Sequence, residues 1–126
     1  MVKALFDTNI LIDFLRGIPE ARTELTRYEE RAISIVTWME IMAGVPQDAE
    51  GKTRGFLAAF ELVELDAAVA NRAVAVRRER RLKLPDAIIW ASAQARSMLL
   101  VTRDTKAFPR NDPGVRVPYS TSGARD

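Results

Sequence analysis

Short apolar, β-branched runs alternate along this chain with longer amphipathic stretches, and that alternation constrains the fold more than any other feature. Lys3–Phe6, Ala32–Val36, Leu62–Leu65 and Met98–Thr102 read as strands, with Val115–Val117 as a short fifth. Between them, Ile10–Arg16 reads as a helix stopped by Gly17, and Pro19 opens a second helix running to about Glu30. A third helix is expected from Thr37 to Gly44, and a fourth over Gln47–Phe60, where Gly51 and Gly55 weaken the pattern. Asp66 stands where it can cap a long helix whose Val69, Ala73 and Val76 form one apolar stripe, and Pro85 restarts the chain as a helix through Ala95. Strands separated by helices imply a parallel sheet of four to five strands covered on both faces, a three-layer α/β/α domain. The 126 residues suffice for one such domain, expected over 1–119, with 120–126 a small polar tail that frays.

Composition then narrows the chemistry. The chain has neither Cys nor His. It cannot carry a disulfide, a thiol nucleophile or a thiolate metal site, and it lacks the imidazole acid or base of most hydrolytic triads. Any metal must sit among oxygen ligands, which favours Mg²⁺ or Mn²⁺. No Gly-x-x-x-x-Gly-Lys sequence exists, so a P-loop is excluded, and Gly51-x-x-x-Gly55 lies in a polar segment rather than an apolar span. No apolar run approaches the roughly 20 residues of a membrane helix, and Asp7 interrupts the N-terminal apolar stretch, so a cytoplasmic protein is expected. Charge is uneven: residues 1–63 hold 7 basic against 10 acidic side chains, and residues 64–126 hold 12 against 7. A positive second half permits a polyanionic partner.

Open parallel sheets bind ligands outside the carboxyl ends of their strands. Asp7 and Asp104 fall just after the first and fourth strands, Glu40 lies in the helix after the second, and Asp86 opens the helix before the fourth. Each has an ordinary reading. Asp7 is a favoured helix cap, Thr37 and Glu40 fit a capping box, Asp86 complements a helix dipole, and Asp104 suits a turn. The helix that Asp86 opens is apolar on nearly every face, however, and should be buried. Two ionised carboxylates at 4 Å repel by about 4 kcal/mol at an effective dielectric near 20. A fold that gathers four at one rim needs a cation or raised pKa values. A bound Mg²⁺ or Mn²⁺ would remove that penalty, and could activate a water while polarising a phosphoryl oxygen, chemistry that needs no His.

The same residues carry a resemblance. LFDTNILID at 5–13, TWMEIMAG at 37–44, LPDAIIWASA at 84–93 and LLVTRDTKAF at 99–108 resemble, in order and spacing, the PIN-domain ribonucleases, and in particular the VapC toxins of bacterial and archaeal toxin–antitoxin pairs. The resemblance implies a metal-dependent endoribonuclease in which Asp7, Glu40, Asp86 and Asp104 are the acidic quartet that holds Mg²⁺ or Mn²⁺, with Thr8 and Thr102 supporting it through hydrogen bonds. It further implies RNA as substrate, a homodimer, and a small VapB-like antitoxin that binds over the active site. Trp90 is bulkier than the small residue expected at its place on that helix.

Three other features complete the reading. Arg77, Arg78, Arg80, Arg81 and Lys83 put five cations just before Asp86, where they would either steer RNA phosphates or simply solvate a helix end. Arg16 and Arg103 read as surface charges, or as weaker backbone contacts. Trp38, Met39, Ile41 and Met42 form an apolar band expected to be mostly core, part of it available to a partner, and Phe56 and Phe60 read as core. Two other functions remain open on these residues. One is a receiver-like phosphoacceptor domain using Asp66 and Lys106, and the other is an inactive binding module whose acids are all caps.

Overall fold

The structure, a computed structural model of the chain, describes residues 2–120. Five strands run in parallel in the order β3-β2-β1-β4-β5: β1 (Lys3–Phe6), β2 (Glu30–Ser34), β3 (Glu61–Val63), β4 (Leu99–Val101) and β5 (Val115–Arg116). The helices are α1 (Thr8–Leu15), α2 (Pro19–Thr26), α3 (Ile35–Gly44), α4 (Glu50–Leu57), α5 (Ala67–Arg80) and α6 (Leu84–Ala95), with one 3₁₀ turn at Gln47–Ala49.

Strand alternation builds the three layers. Leu5 and Leu100 point to one side of the sheet and pack with Val69, Ala73 and Val76 of α5 and with Ile89 and Trp90 of α6. Ala4, Phe6 and Val101 point to the other side and meet Ile10 and Leu11 of α1, Leu25 of α2 and Leu57 of α4. The Val69, Ala73 and Val76 stripe is buried as its spacing predicts. Helix α6 buries Ala87, Ile89, Trp90, Ala91, Ser92 and Ala93, so it is the central helix of its layer. Trp90 is accommodated edge-on against Phe108 at 5.6 Å between ring centroids, with the Arg80 guanidinium over its ring.

Element ends differ from the sequence expectations where polar residues do structural work. Helix α2 stops at Thr26 rather than near Glu30, because Glu30 already pairs with Lys3 as the first residue of β2. Lys3 reaches both Glu30 (3.3 Å) and Glu61 (2.9 Å), so charged residues open three adjacent strands, two of which, β2 and β3, apolar patterning starts later. Helix α3 starts two residues before Thr37, since the Ser34 hydroxyl accepts from the Val36 amide at 3.0 Å and serves as its cap. The segment 47–60 divides into a 3₁₀ turn and the shorter α4. Gly17, just past α1, takes φ of 82°, the left-handed geometry that favours glycine.

The apolar band of α3 is less buried than expected: Ile41 is in the core, Trp38 and Met42 are half-buried, and Met39 is exposed. Phe60 is buried, whereas Phe56 is half-buried and stacks on Phe14. The tail expected over 120–126 lies, apart from Ser120, outside the described residues. Among the described residues no helix is long and apolar enough to cross a membrane.

Candidate active site

The strand order reverses between β1 and β4, and a parallel sheet opens its ligand crevice at such a point, at the carboxyl ends of the two strands. Asp7 follows β1 directly, and its amide donates to the Val101 carbonyl at the end of β4 (2.9 Å). It caps α1 by accepting from the Thr8 amide (2.7 Å), while its other oxygen accepts from the Thr102 hydroxyl (2.8 Å) and the Asn9 amide (3.2 Å). The cap and the site are thus one residue. Only 5% of Asp7 is exposed. Burial pushes its carboxyl up to about 6 against the opposing bonds from Thr102 and Thr8, and the charges of Asp86 and Asp104 add to the rise.

Asp86, in the first turn of α6, is half-buried and also raised. Burial is the largest cause; the charges of Asp104 and Glu40 push the same way, and Lys83 opposes them. Asp104 lies in the turn after β4. Its amide donates to Thr102 Oγ1 (3.0 Å), and its carboxylate accepts from the amides of Lys106 (3.1 Å) and Ala107 (3.2 Å), so the turn reading holds as well. Glu40 is exposed on α3, and the Thr8 hydroxyl donates to its Oε1 at 2.6 Å while lying 3.0 Å from the hydroxyl of Thr37.

The four acids therefore act on one another's charge: Asp7 feels Asp86 and Asp104, and Asp86 feels Asp104 and Glu40. Among the described residues, no three acidic side chains converge into a ready-made metal cage. The donor set is nevertheless all oxygen, and the two acids whose proton affinity is raised are those a cation would relieve. Such residues suit a hard divalent ion like Mg²⁺ or Mn²⁺ that keeps part of its water shell.

Three sequence expectations need correction. Glu40 does not form a capping box with Thr37, because α3 is capped by Ser34 and Glu40 lies beyond its first turn. Asp66 does not suit a phosphoacceptor: it follows edge strand β3, accepts from the Val69 amide at 2.9 Å, and pairs with Arg96. Arg103 is no surface charge, since its guanidinium grips the buried Asp13 carboxylate. Its amide also lies 3.4 Å from Asn9 Oδ1, which links the loop after β4 to α1.

The cations before Asp86 separate. Arg77 donates to the Leu82 carbonyl, and Arg80 lies over Trp90 with Asp112 at 3.9 Å. Arg78 is exposed, while Arg81 and Lys83 line a cavity beside Asp86 and Asp104. Arg16 is exposed, and its charge is felt at Asp13. Sequence reasoning missed Asn9, Thr37 and Asp13. The available signal for Asp13 was its place three residues after Ile10, on the apolar face of α1.

A profile of the PIN domain family matches residues 4–112. The chain is 30% identical to the tRNA(fMet)-specific endonuclease VapC of Shigella flexneri, over 87% of this chain and 92% of that protein. It is 28% identical to ribonuclease VapC10 of Mycobacterium tuberculosis, over 96% of each. A chain in the solved toxin–antitoxin complex from Klebsiella pneumoniae superposes with a TM-score of 0.89 at 47% identity, covering 94% of this chain and 99% of that one.

Proposed function

The chain belongs to the PIN domain family, and from that premise we propose that it is a Mg²⁺- or Mn²⁺-dependent endoribonuclease, the toxin of a VapBC-type toxin–antitoxin pair. The observation that carries this reading is the gathering of Asp7, Asp86 and Asp104 at the switch point of the sheet, where burial first and the charge of Asp104 after it raise both Asp7 and Asp86, in a chain without His or Cys. The nuclease names of the Shigella and Mycobacterium relatives support the reaction class, and the Klebsiella complex supports an antitoxin partner.

In this reading Asp7, Asp86 and Asp104 would hold the ion, with Glu40 beside them. The ion, when bound, supplies Lewis acidity that lowers the pKa of water and polarises a phosphoryl oxygen. The residues do the rest. Thr102 and Asn9 fix the Asp7 carboxylate from one side while the Thr8 amide fixes it from the other. Thr8 orients Glu40, whose exposed carboxylate can accept a proton from the attacking water. Thr102 also holds the Asp104 amide, so a single hydroxyl sets the spacing of two of the acids.

The homodimer and the antitoxin belong to the same reading. A cavity of about 440 Å³ among α1, α2 and α4, lined by Phe14, Leu25, Phe56 and Phe60 together with Arg22 and Arg31 and by none of the four acids, is an apolar surface on which an antitoxin that also covers the acidic rim would anchor.

The test is cleavage of total RNA by antitoxin-free protein, with Mn²⁺, with EDTA and with Asp86→Asn, mapping new ends by sequencing. Discrete ends that require both the ion and Asp86 are expected. Their absence from folded protein would favour an inactive binding module.

A further inference from the structure

The turn between α5 and α6 sorts its cations into those that hold the fold and those that face the acidic centre. Arg77 is bound to the Leu82 carbonyl, and Arg80 is held between Trp90 and Asp112. Arg81 and Lys83 instead line a cavity of about 360 Å³ that they share with Asp86, Asp104 and Lys106. The charge of Lys83 is felt at Asp86. Lys106 is carried by the turn that the Asp104 carboxylate organises, since Asp104 accepts from the Lys106 amide at 3.1 Å.

Glu40 does not line this cavity. The acidic centre therefore has an anionic flank, where Thr8 holds Glu40, and a cationic flank formed by residues of two separate turns. Arg81 closes α5 with φ of 57°, a left-handed conformation in which glycine is at ease and other residues pay roughly 1 kcal/mol. The fold keeps an arginine at a position whose backbone geometry favours glycine.

We propose that Arg81, Lys83 and Lys106 form a subsite for a backbone phosphate adjoining the scissile one, so that a single strand of nucleic acid runs from the acidic centre into this cavity. The subsite rests on the nuclease reading of that centre. A cavity lined by acids and cations together matches a ligand that carries a reacting phosphodiester and a neighbouring anion at once, which is a chain of linked phosphates.

The experiment is anisotropy of a labelled single-stranded RNA as a function of salt, in EDTA so that no cleavage occurs. It compares the wild type with Lys83→Ala/Lys106→Ala, with Arg81→Gly, and with Lys52→Ala, an exposed cation on α4. Each phosphate contact to a single strand contributes about 0.7 to the slope of log affinity against log salt. The double variant is expected to lose about that much slope and roughly tenfold in affinity at low salt, and Lys52→Ala is expected to lose neither. Arg81→Gly is expected to weaken binding while its melting temperature holds or rises, a combination that a merely structural arginine would not give.

Unchanged affinity and slope in both cavity variants would overturn the subsite, as would a wild type that does not bind RNA. Cleavage with Mn²⁺, run in parallel, keeps the two readings apart. Intact wild-type cleavage with unaltered variant binding removes only the subsite. Variant-sensitive binding without any cleavage leaves the phosphate contact standing and removes only the nuclease.

Discussion

Arg103 lays its guanidinium across both oxygens of Asp13, at 2.6 and 3.0 Å, on a carboxylate that is 1% exposed and ninety positions away in sequence. The Tyr119 hydroxyl donates to the same carboxylate at 2.8 Å. This clamp ties the loop after β4, which carries Thr102 and Asp104, to α1, which Asp7 caps. Arg103→Ala would leave a buried charge with one partner fewer, and is expected to cost about 3 kcal/mol in denaturant unfolding. Replacing both residues by apolar ones of similar size should recover most of that loss.

The pH dependence of stability has two opposing parts. Burial alone would raise Asp13 and Glu24, but Arg103 and Tyr119 on the first, and Arg116 and Tyr28 on the second, outweigh it and hold both below the ordinary carboxylate range. Their contribution is present above about pH 4 and is lost as the pH falls through the depressed folded values. Asp7 has the opposite sign. Its folded value near 6 exceeds the reference of 3.8, so metal-free stability should decline as the pH rises through that window, by up to about 3 kcal/mol. Melting curves in EDTA from pH 4 to 7.5 should show the decline in wild type and a flatter profile in Asp7→Asn. Parallel profiles would contradict it.

Binding of a divalent ion should reverse that penalty. A ligand at a hundred times its Kd stabilises the native state by about 2.7 kcal/mol, which for a chain of this size raises Tm by roughly 10 °C. Mn²⁺ is expected to produce such a shift in the wild type and little in Asp7→Asn or Asp86→Asn, measured by thermal unfolding at neutral pH.

Thr8 separates positioning from folding. Its hydroxyl serves Glu40 and adjoins Thr37, while the capping bond to Asp7 uses its backbone amide. Thr8→Val should therefore keep the helix and lower RNA cleavage by about 10- to 100-fold, the range typical of residues that orient a metal site. Equal cleavage by the variant would remove Glu40 orientation from the account.

The layers were legible because apolar runs mark the strands, and three of the candidate acids leave a local trace: Asp7 and Asp104 sit just beyond strands and Asp86 at a helix start. Glu40, in the middle of α3, leaves none of that kind. The start of α3 was not legible from its residues. Ile35 and Val36 carry the β-branched pattern of a strand, yet the Ser34 cap turns them into the first residues of a helix. The clamp on Asp13 was hidden for a different reason: a carboxylate in the core is tolerable only once its arginine is known, and that arginine lies in another layer of the sequence. The cations near Asp86 looked alike in the chain, and only packing against Trp90 and Leu82 separated those that hold the turn from those that face the cavity.

The most direct test of the account is anomalous diffraction from crystals soaked in Mn²⁺. One ion is expected between the ends of β1 and β4, with oxygens of Asp7, Asp86 and Asp104 at about 2.1 Å or slightly more and water completing its shell. An ion bound elsewhere, or none at a concentration that supports full RNA cleavage, would contradict the claim that these acids form the catalytic centre.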